Sequence, residues 1–220
     1  MVALNRLTGH SKGFFSVYTM PPNQAVSPAS QRRINAKRGQ VPERKDVKAI
    51  ILKKTASLLS SGLPPKLLSR PLLMTGKAAS TPEMADASVA LAVTSPPFLD
   101  IVDYAGDNWL RCWFAGIDPA SVAIDRHRTV SEWRAFVART LAELARVVRP
   151  GGHVAFEVGE VRNGQVLLER EVAAAAEGLP LELICVMVNE QEFTKTANLW
   201  GVGNNARGTN TNRICVFRRS

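Results

Sequence analysis

Cysteine is scarce in this 220-residue chain: Cys112, Cys185 and Cys215 are odd in number, far apart and form no Cys-x-x-Cys. That excludes a disulfide framework and a cysteine-based zinc site, and it fits a reducing cytoplasm. Histidine is as rare. His10, His127 and His153 are isolated from one another and from the cysteines, so no metal site is expected. No run of eighteen apolar residues occurs, which excludes a membrane-spanning helix. The opening residues Met-Val-Ala-Leu-Asn-Arg lack the apolar core of a signal peptide. Acidic residues are nearly missing from the first quarter. Residues 1–54 hold eleven Lys/Arg against Glu43 and Asp46, whereas residues 55–220 hold seventeen of each sign. The whole net charge of +9 therefore sits in the first segment, as expected of a stretch that faces a polyanion. A solvated basic arm is the plainer alternative.

Residues 1–42 show no sustained helical or strand period, and Gly9, Gly13, Pro21, Pro22, Pro28, Gly39 and Pro42 punctuate them into turns. Within them Phe14, Phe15 and Tyr18 lie near Lys12, Arg32, Arg33, Lys37 and Arg38. Aromatics that stack on bases and cations that meet phosphates are one reading; aromatics that pin the segment to a core are the other. Residues 47–59 carry Val47, Ile50, Ile51 and Leu58 at helical spacing. A division follows: 1–69 as a basic segment of loops and one helix, 70–220 as an α/β domain.

That second part alternates. A short strand is expected at 71–75 and a central parallel strand at 88–94, apolar on both faces. A helix is expected at 104–115. The next helix is predicted to start at an N-cap Ser131 without a full capping box, and to carry Trp133, Phe136, Val137, Leu141, Leu144, Ala145 and Val148 on one stripe. Arg149-Pro150-Gly151-Gly152 ends it. Strands at 154–158, 181–188 and 214–217 and a helix at 167–176 complete an α/β sheet with helices expected on both faces.

Directly after the buried-looking run 88–93 stand Thr94-Ser95-Pro96-Pro97-Phe98. An exocyclic amine on a nucleobase is a poor nucleophile because its lone pair is delocalised into the ring. Accepting hydrogen bonds from the amine hydrogens draws the nitrogen toward tetrahedral geometry, and transfer then needs alignment more than acid–base power. Ser95 offers a hydroxyl acceptor and Pro96 a backbone carbonyl whose direction proline presets. Phe98 offers a flat face for a base extruded from a duplex.

The stretch Asp86-Ala-Ser-Val-Ala-Leu-Ala-Val-Thr-Ser-Pro-Pro-Phe resembles the catalytic-motif strand of amino-group DNA methyltransferases. Its Ser-Pro-Pro form is more similar to the N4-cytosine branch than to the N6-adenine branch. Similarity extends to residues 103–111, to Val148-Arg-Pro-Gly-Gly-His153, and to residues 193–198 and 208–213, so it covers about 70–219. The resemblance implies a Rossmann-like S-adenosylmethionine-dependent methyltransferase sheet, DNA as partner and methylation of the restriction–modification kind. It places Ser95, Pro96, Pro97 and Phe98 at the reacting amine. Lys12, Arg32, Arg33, Lys37, Arg38, Lys195, Arg207 and Arg213 are the candidate DNA contacts.

One element of that family has no counterpart. Its cofactor rests on a Phe-x-Gly-x-Gly turn between a strand and a helix. Gly201-Val-Gly203 has the spacing, but it lies among Asn204, Asn205, Thr209 and Asn210 with no helix pattern after it. The strands correspond to the later half of such a sheet, which lacks its first βα units. The expectation is therefore either a C-terminal part of a longer enzyme or a chain whose cofactor-binding half comes from a partner. Methylation of an RNA base, and a nucleic-acid-binding module without a cofactor site, are the rival functions. Other residues stay open: Asp100, Asp103 and Asp107 after the motif, Glu157 and Glu160 near a strand end, and His127 between Arg126 and Arg128, a cluster suited to phosphate.

Overall fold

In a computed structural model, residues 27–42, 44–62, 71–97, 99, 104–161, 166–190 and 211–220 of the chain are described. They form two compact units, one of residues up to Leu72 together with 104–124, the other of residues 73–99 with those from Asp125 onward.

The first unit holds three helices and a short turn. Helix α1 (Pro28–Arg38) corrects the expectation of turns throughout 1–42. No apolar stripe announces it, because it is made by its ends. The Ser27 side chain accepts from the Ser30 N–H, proline stands in the first turn, and Gly39 closes it at φ +58°. Pro28 and Gly39, read as breaks, are a helix start and a helix stop. Helix α2 (Val47–Leu58) is capped by Asp46, whose carboxylate accepts from Ala49 N–H at 2.9 Å. None of its residues is buried, so the predicted apolar face is uncovered. Helix α3 (Tyr104–Ala115) precedes a 3-10 turn, Pro119–Ser121, and buries Leu110.

The second unit is an open mixed sheet with two helices, the α/β class expected from the alternation. Strand β1 (Val89–Thr94) is followed by helix α4 (Val130–Val147), strand β2 (Val148–Val161) and a two-residue strand β3 (Val166–Leu167). Helix α5 (Leu168–Ala175) and strands β4 (Leu181–Glu190) and β5 (Thr211–Arg219) complete it. The strand order is β1-β2-β5-β4, with β1 parallel to β2, the β2–β5 and β5–β4 pairs antiparallel, and β3 on the end of β2. The expected strand at 71–75 does not form: those residues join no ladder among the described residues, and Leu73 is 92% exposed.

The cap of helix α4 is Thr129, two residues before the predicted one. Thr129 Oγ1 accepts from Glu132 N–H at 3.3 Å, and Glu132 returns the bond to Thr129 N–H at 3.2 Å. A cap at Ser131 would put Arg134 at the third position and hide this box; with the cap at Thr129, Glu132 fills it. Those hydrogen bonds from Thr129 hold the Glu132 carboxyl below its ordinary range. Of the predicted stripe Trp133, Phe136, Val137, Leu141 and Ala145 are buried and Leu144 is half-buried, whereas Val148 lies beyond the helix as the first residue of β2.

Alternate strand residues meet this stripe. Val154, Phe156 and Val158 of β2 and Cys215 and Phe217 of β5 are fully enclosed with Trp133, Leu141, Leu168 and Val172. Both described helices of this unit therefore cover one face of the sheet. The two strands meet closely where Gly152 passes β1. A Cβ there would lie 2.8 Å from the Ala90 carbonyl oxygen and 2.8 Å from Val148 Cγ1, so only glycine fits. Strand β1 was expected in the middle of the sheet; among the described residues it is an edge strand, with Leu91 57% and Val93 73% exposed. Periodicity registers that a strand is apolar on both faces. It does not register which neighbours are present to cover it.

Candidate active site at the end of the first strand

Strand β1 points its C-terminal end at Ser95, Pro96 and Pro97. Ser95 is exposed, Pro96 buried and Pro97 half-buried, and Leu99 beyond them is wholly enclosed in the core. The buried proline and leucine anchor the turn and leave the serine outward. The Trp133 indole Nε1–H donates to the Pro97 carbonyl oxygen at 2.9 Å. Trp133 is fully buried, so this bond satisfies an indole that would otherwise be stranded and locks the turn onto the first turn of α4. It also consumes one carbonyl of the motif and leaves Ser95 Oγ and the Pro96 carbonyl as the candidate acceptors. Phe98 lies outside the described residues.

The approach to β1 is clamped as well. The Arg146 guanidinium donates to the carbonyls of Met84 (2.9 Å) and Thr81 (3.0 Å), to Asp86 (2.5 Å) and to Glu143 (2.7 Å). Glu143 in turn accepts from the Thr81 N–H (2.7 Å) and hydroxyl (2.5 Å). Arg146, with Thr81 beside it, holds the Glu143 carboxyl at about 2. Residues 81–86, which carry the chain into β1, are thus tied to α4 at one end of the helix while Pro97 is tied at the other. Sequence reading places Trp133 in the core and misses its second role; the signal available is that a buried indole requires an acceptor. Glu143 and Arg146 stand three residues apart on α4, but the clamp's other partners, Thr81, Met84 and Asp86, lie some sixty residues away and leave no signal in spacing.

The candidate cations fare differently. Arg32, Arg33, Lys37 and Arg38 are all exposed on α1, where Arg33 and Lys37 stand one above the other and Arg32 and Arg38 leave on other sides. Arg213 on β5 is engaged by Glu169, with only 20% of its side chain exposed. Lys12, Lys195, Arg207, Asp100, Asp103 and Gly201-Val-Gly203 lie outside the described residues. Arg126, His127 and Arg128 do come together: with Arg139, Thr129, Glu132 and Ala135 they line an open cleft of about 630 Å³ at the start of α4. The His127 ring lies against Phe136, centroids 5.0 Å apart.

No group of three His, Cys, Asp or Glu suited to a metal ion occurs among the described residues. The described residues also do not fit a sulfonium nucleoside cofactor. Strand β1 ends in a proline-rich turn. The Gly151–Gly152 pair opens into a strand instead of a helix, and the space at Gly152 is filled by Ala90 and Val148. No strand–glycine turn–helix stands among them.

No family model and no curated protein matches the chain. Among solved structures, a candidate DNA modification methylase from Thermus thermophilus is 20% identical at a TM-score of 0.39 and covers 66% of this chain and 52% of its own. The cytosine-N4-specific PvuII DNA methyltransferase is 12% identical at 0.42, covering 62% and 44%. A SAM-dependent methyltransferase from Methanosarcina mazei is 13% identical at 0.39, covering 76% of each. The chain spans about half the length of the first two.

Proposed function

We propose that this chain is the target-base-binding portion of a DNA methyltransferase that modifies an exocyclic amine, with cytosine N4 as the target atom and S-adenosylmethionine as the methyl donor. One observation carries the reading. At the C-terminal mouth of a parallel strand, a serine is held outward on a proline turn whose second carbonyl is locked by Trp133. Ligands of open α/β sheets bind at such strand ends.

In this reading Ser95 Oγ and the Pro96 carbonyl accept the two amine hydrogens and draw the nitrogen lone pair out of conjugation. Phe98 stacks on the extruded base. The fixed turn means that no reorganisation is required as charge develops, which is where such sites gain most. Backbone phosphates meet the Arg126, His127, Arg128 and Arg139 cleft. Arg32, Arg33, Lys37 and Arg38 on α1 are further candidate phosphate contacts, as are Lys12, Lys195 and Arg207. The donor is held by residues other than the described ones.

Transfer of labelled methyl groups to duplex DNA by the complete assembly tests this. Ser95→Ala is expected to lower the rate about 100-fold while duplex affinity stays as it was. Undiminished transfer removes the reading, and label on RNA in place of DNA redirects it. The rival function is a binding module without catalysis. It predicts salt-sensitive DNA binding that ignores added cofactor, and no transfer in any pairing.

A further inference from the structure

The cleft at the start of α4 is lined by three guanidiniums, those of Arg126, Arg128 and Arg139, and by one carboxylate, that of Glu132. Glu132 Oε2 already accepts from the N–H groups of Arg128 (3.3 Å) and Thr129 (3.2 Å). The acid is committed to capping the helix, and the lining keeps an excess of positive charge. Every one of these cations is an arginine, whose planar fork meets two phosphate oxygens at once and whose flat face stacks on a base. His127 Nε2, in the same lining, is buried without a hydrogen-bond partner among the described residues. A buried ring nitrogen normally has one, and in its N–H form an oxygen acceptor would satisfy it.

The shape of the site selects what enters it. A recess of about 630 Å³ has the size that encloses a small ligand, such as a nucleotide unit. A duplex carries its phosphates on the outside of a wide convex cylinder, which suits projecting side chains such as those exposed on α1. An unpaired strand can turn a phosphate into a recess and lay its sugar and base along the wall. Position points the same way. Glu132 of the lining and Trp133 are consecutive in the first turn of α4, and Trp133 holds the Pro97 carbonyl. The cleft and the Ser95–Pro97 turn are thus joined through one helical turn. A base drawn out of its stack at Ser95 leaves its own strand unpaired there, with the adjoining phosphates close by.

We propose that this cleft holds an unpaired DNA strand and that Arg126, Arg128 and Arg139 grip the phosphates adjoining the extruded nucleotide. This deepens the methyltransferase reading and rests on it for the identity of the strand. The grip itself is read from binding alone.

The test is binding of the 220-residue chain to a fluorescein-labelled single-stranded DNA, to the same sequence as a fully paired duplex, and to that sequence as RNA. Arg128→Gln with Arg139→Gln is expected to weaken binding of the DNA strand about 10-fold, with duplex affinity nearly as it was. The salt dependence of strand binding should become shallower by about 1.4, the loss of two phosphate contacts. Arg139→Gln alone, an exposed change that leaves the melting temperature as it was, should act in the same direction. Equal losses on strand and duplex, or no loss on either, would overturn the proposal. A 10-fold preference for the RNA strand, abolished by the same substitutions, would overturn its assignment to DNA. Selective loss of strand binding in a chain that transfers no methyl group in any assembly would keep the grip and remove the enzymatic reading. Methyl transfer without selective loss would do the reverse.

Discussion

The Trp133 indole donates to the carbonyl oxygen of Pro97 across 2.9 Å, joining the core helix to the turn that carries the candidate chemistry. Through this one bond the packing of a fully buried side chain sets the position of an exposed serine two residues earlier.

Trp133→Phe keeps an aromatic ring in the core but leaves the Pro97 carbonyl without its donor. Losing the hydrogen bond at this half-buried carbonyl costs about 1 kcal/mol, read as a lowered urea midpoint. Methyl transfer by the assembly should fall with it while duplex affinity holds. Equal loss of rate and affinity would mean that the bond supports the fold alone.

Gly152→Ala places a methyl group against the Ala90 carbonyl and Val148. Backbone cannot yield as a flexible side chain can, so the β1–β2 ladder must part locally. The expected destabilisation is about 1–3 kcal/mol, measured by chemical denaturation. At Gly151, where φ is +74° and the neighbourhood is open, the same substitution meets only backbone strain and should cost less, about 1 kcal/mol.

Glu143 links stability to pH. Its carboxyl is lowered from 4.5 to about 2 by hydrogen bonds from Arg146 and Thr81. A depressed folded-state value means that its contribution is complete above the unfolded value and is lost as pH falls from 4.5 toward 2. Glu143→Gln should therefore destabilise the chain at pH 7, and the difference from the parent should shrink across that window. A difference that stays constant down to pH 2 would show that the carboxylate charge plays no part in the clamp.

The long amphipathic stretch of α4 was legible because a buried face leaves a 3.6-residue mark, and its apolar residues keep to it. The proline and glycines read as the stop of that helix lie inside β2, which starts at Val148 and not at 154, but the end of the helix was legible to within a residue. Helix α1 was not, although its boundary residues stand out. Ser27, Pro28 and Gly39 are ambiguous singly; they become a cap, a first turn and a stop only when the residues between them are helical. The same ambiguity separates Thr129 from Ser131 as the start of α4.

Of the candidate site, the chain itself determined the chemistry on offer: a hydroxyl, two prolines and an aromatic at a strand end are local facts, as is the charge gathered before residue 55. Tertiary structure decided what those groups are free to do. It spent the Pro97 carbonyl on Trp133, drew Arg213 into a pair with Glu169, and gathered Arg126, His127, Arg128 and Arg139 around one cleft. It also turned a strand written for burial on both sides into an open edge. Local sequence encodes which surface a strand would bury, but what covers that surface depends on contacts between residues far apart in the chain, or in another chain.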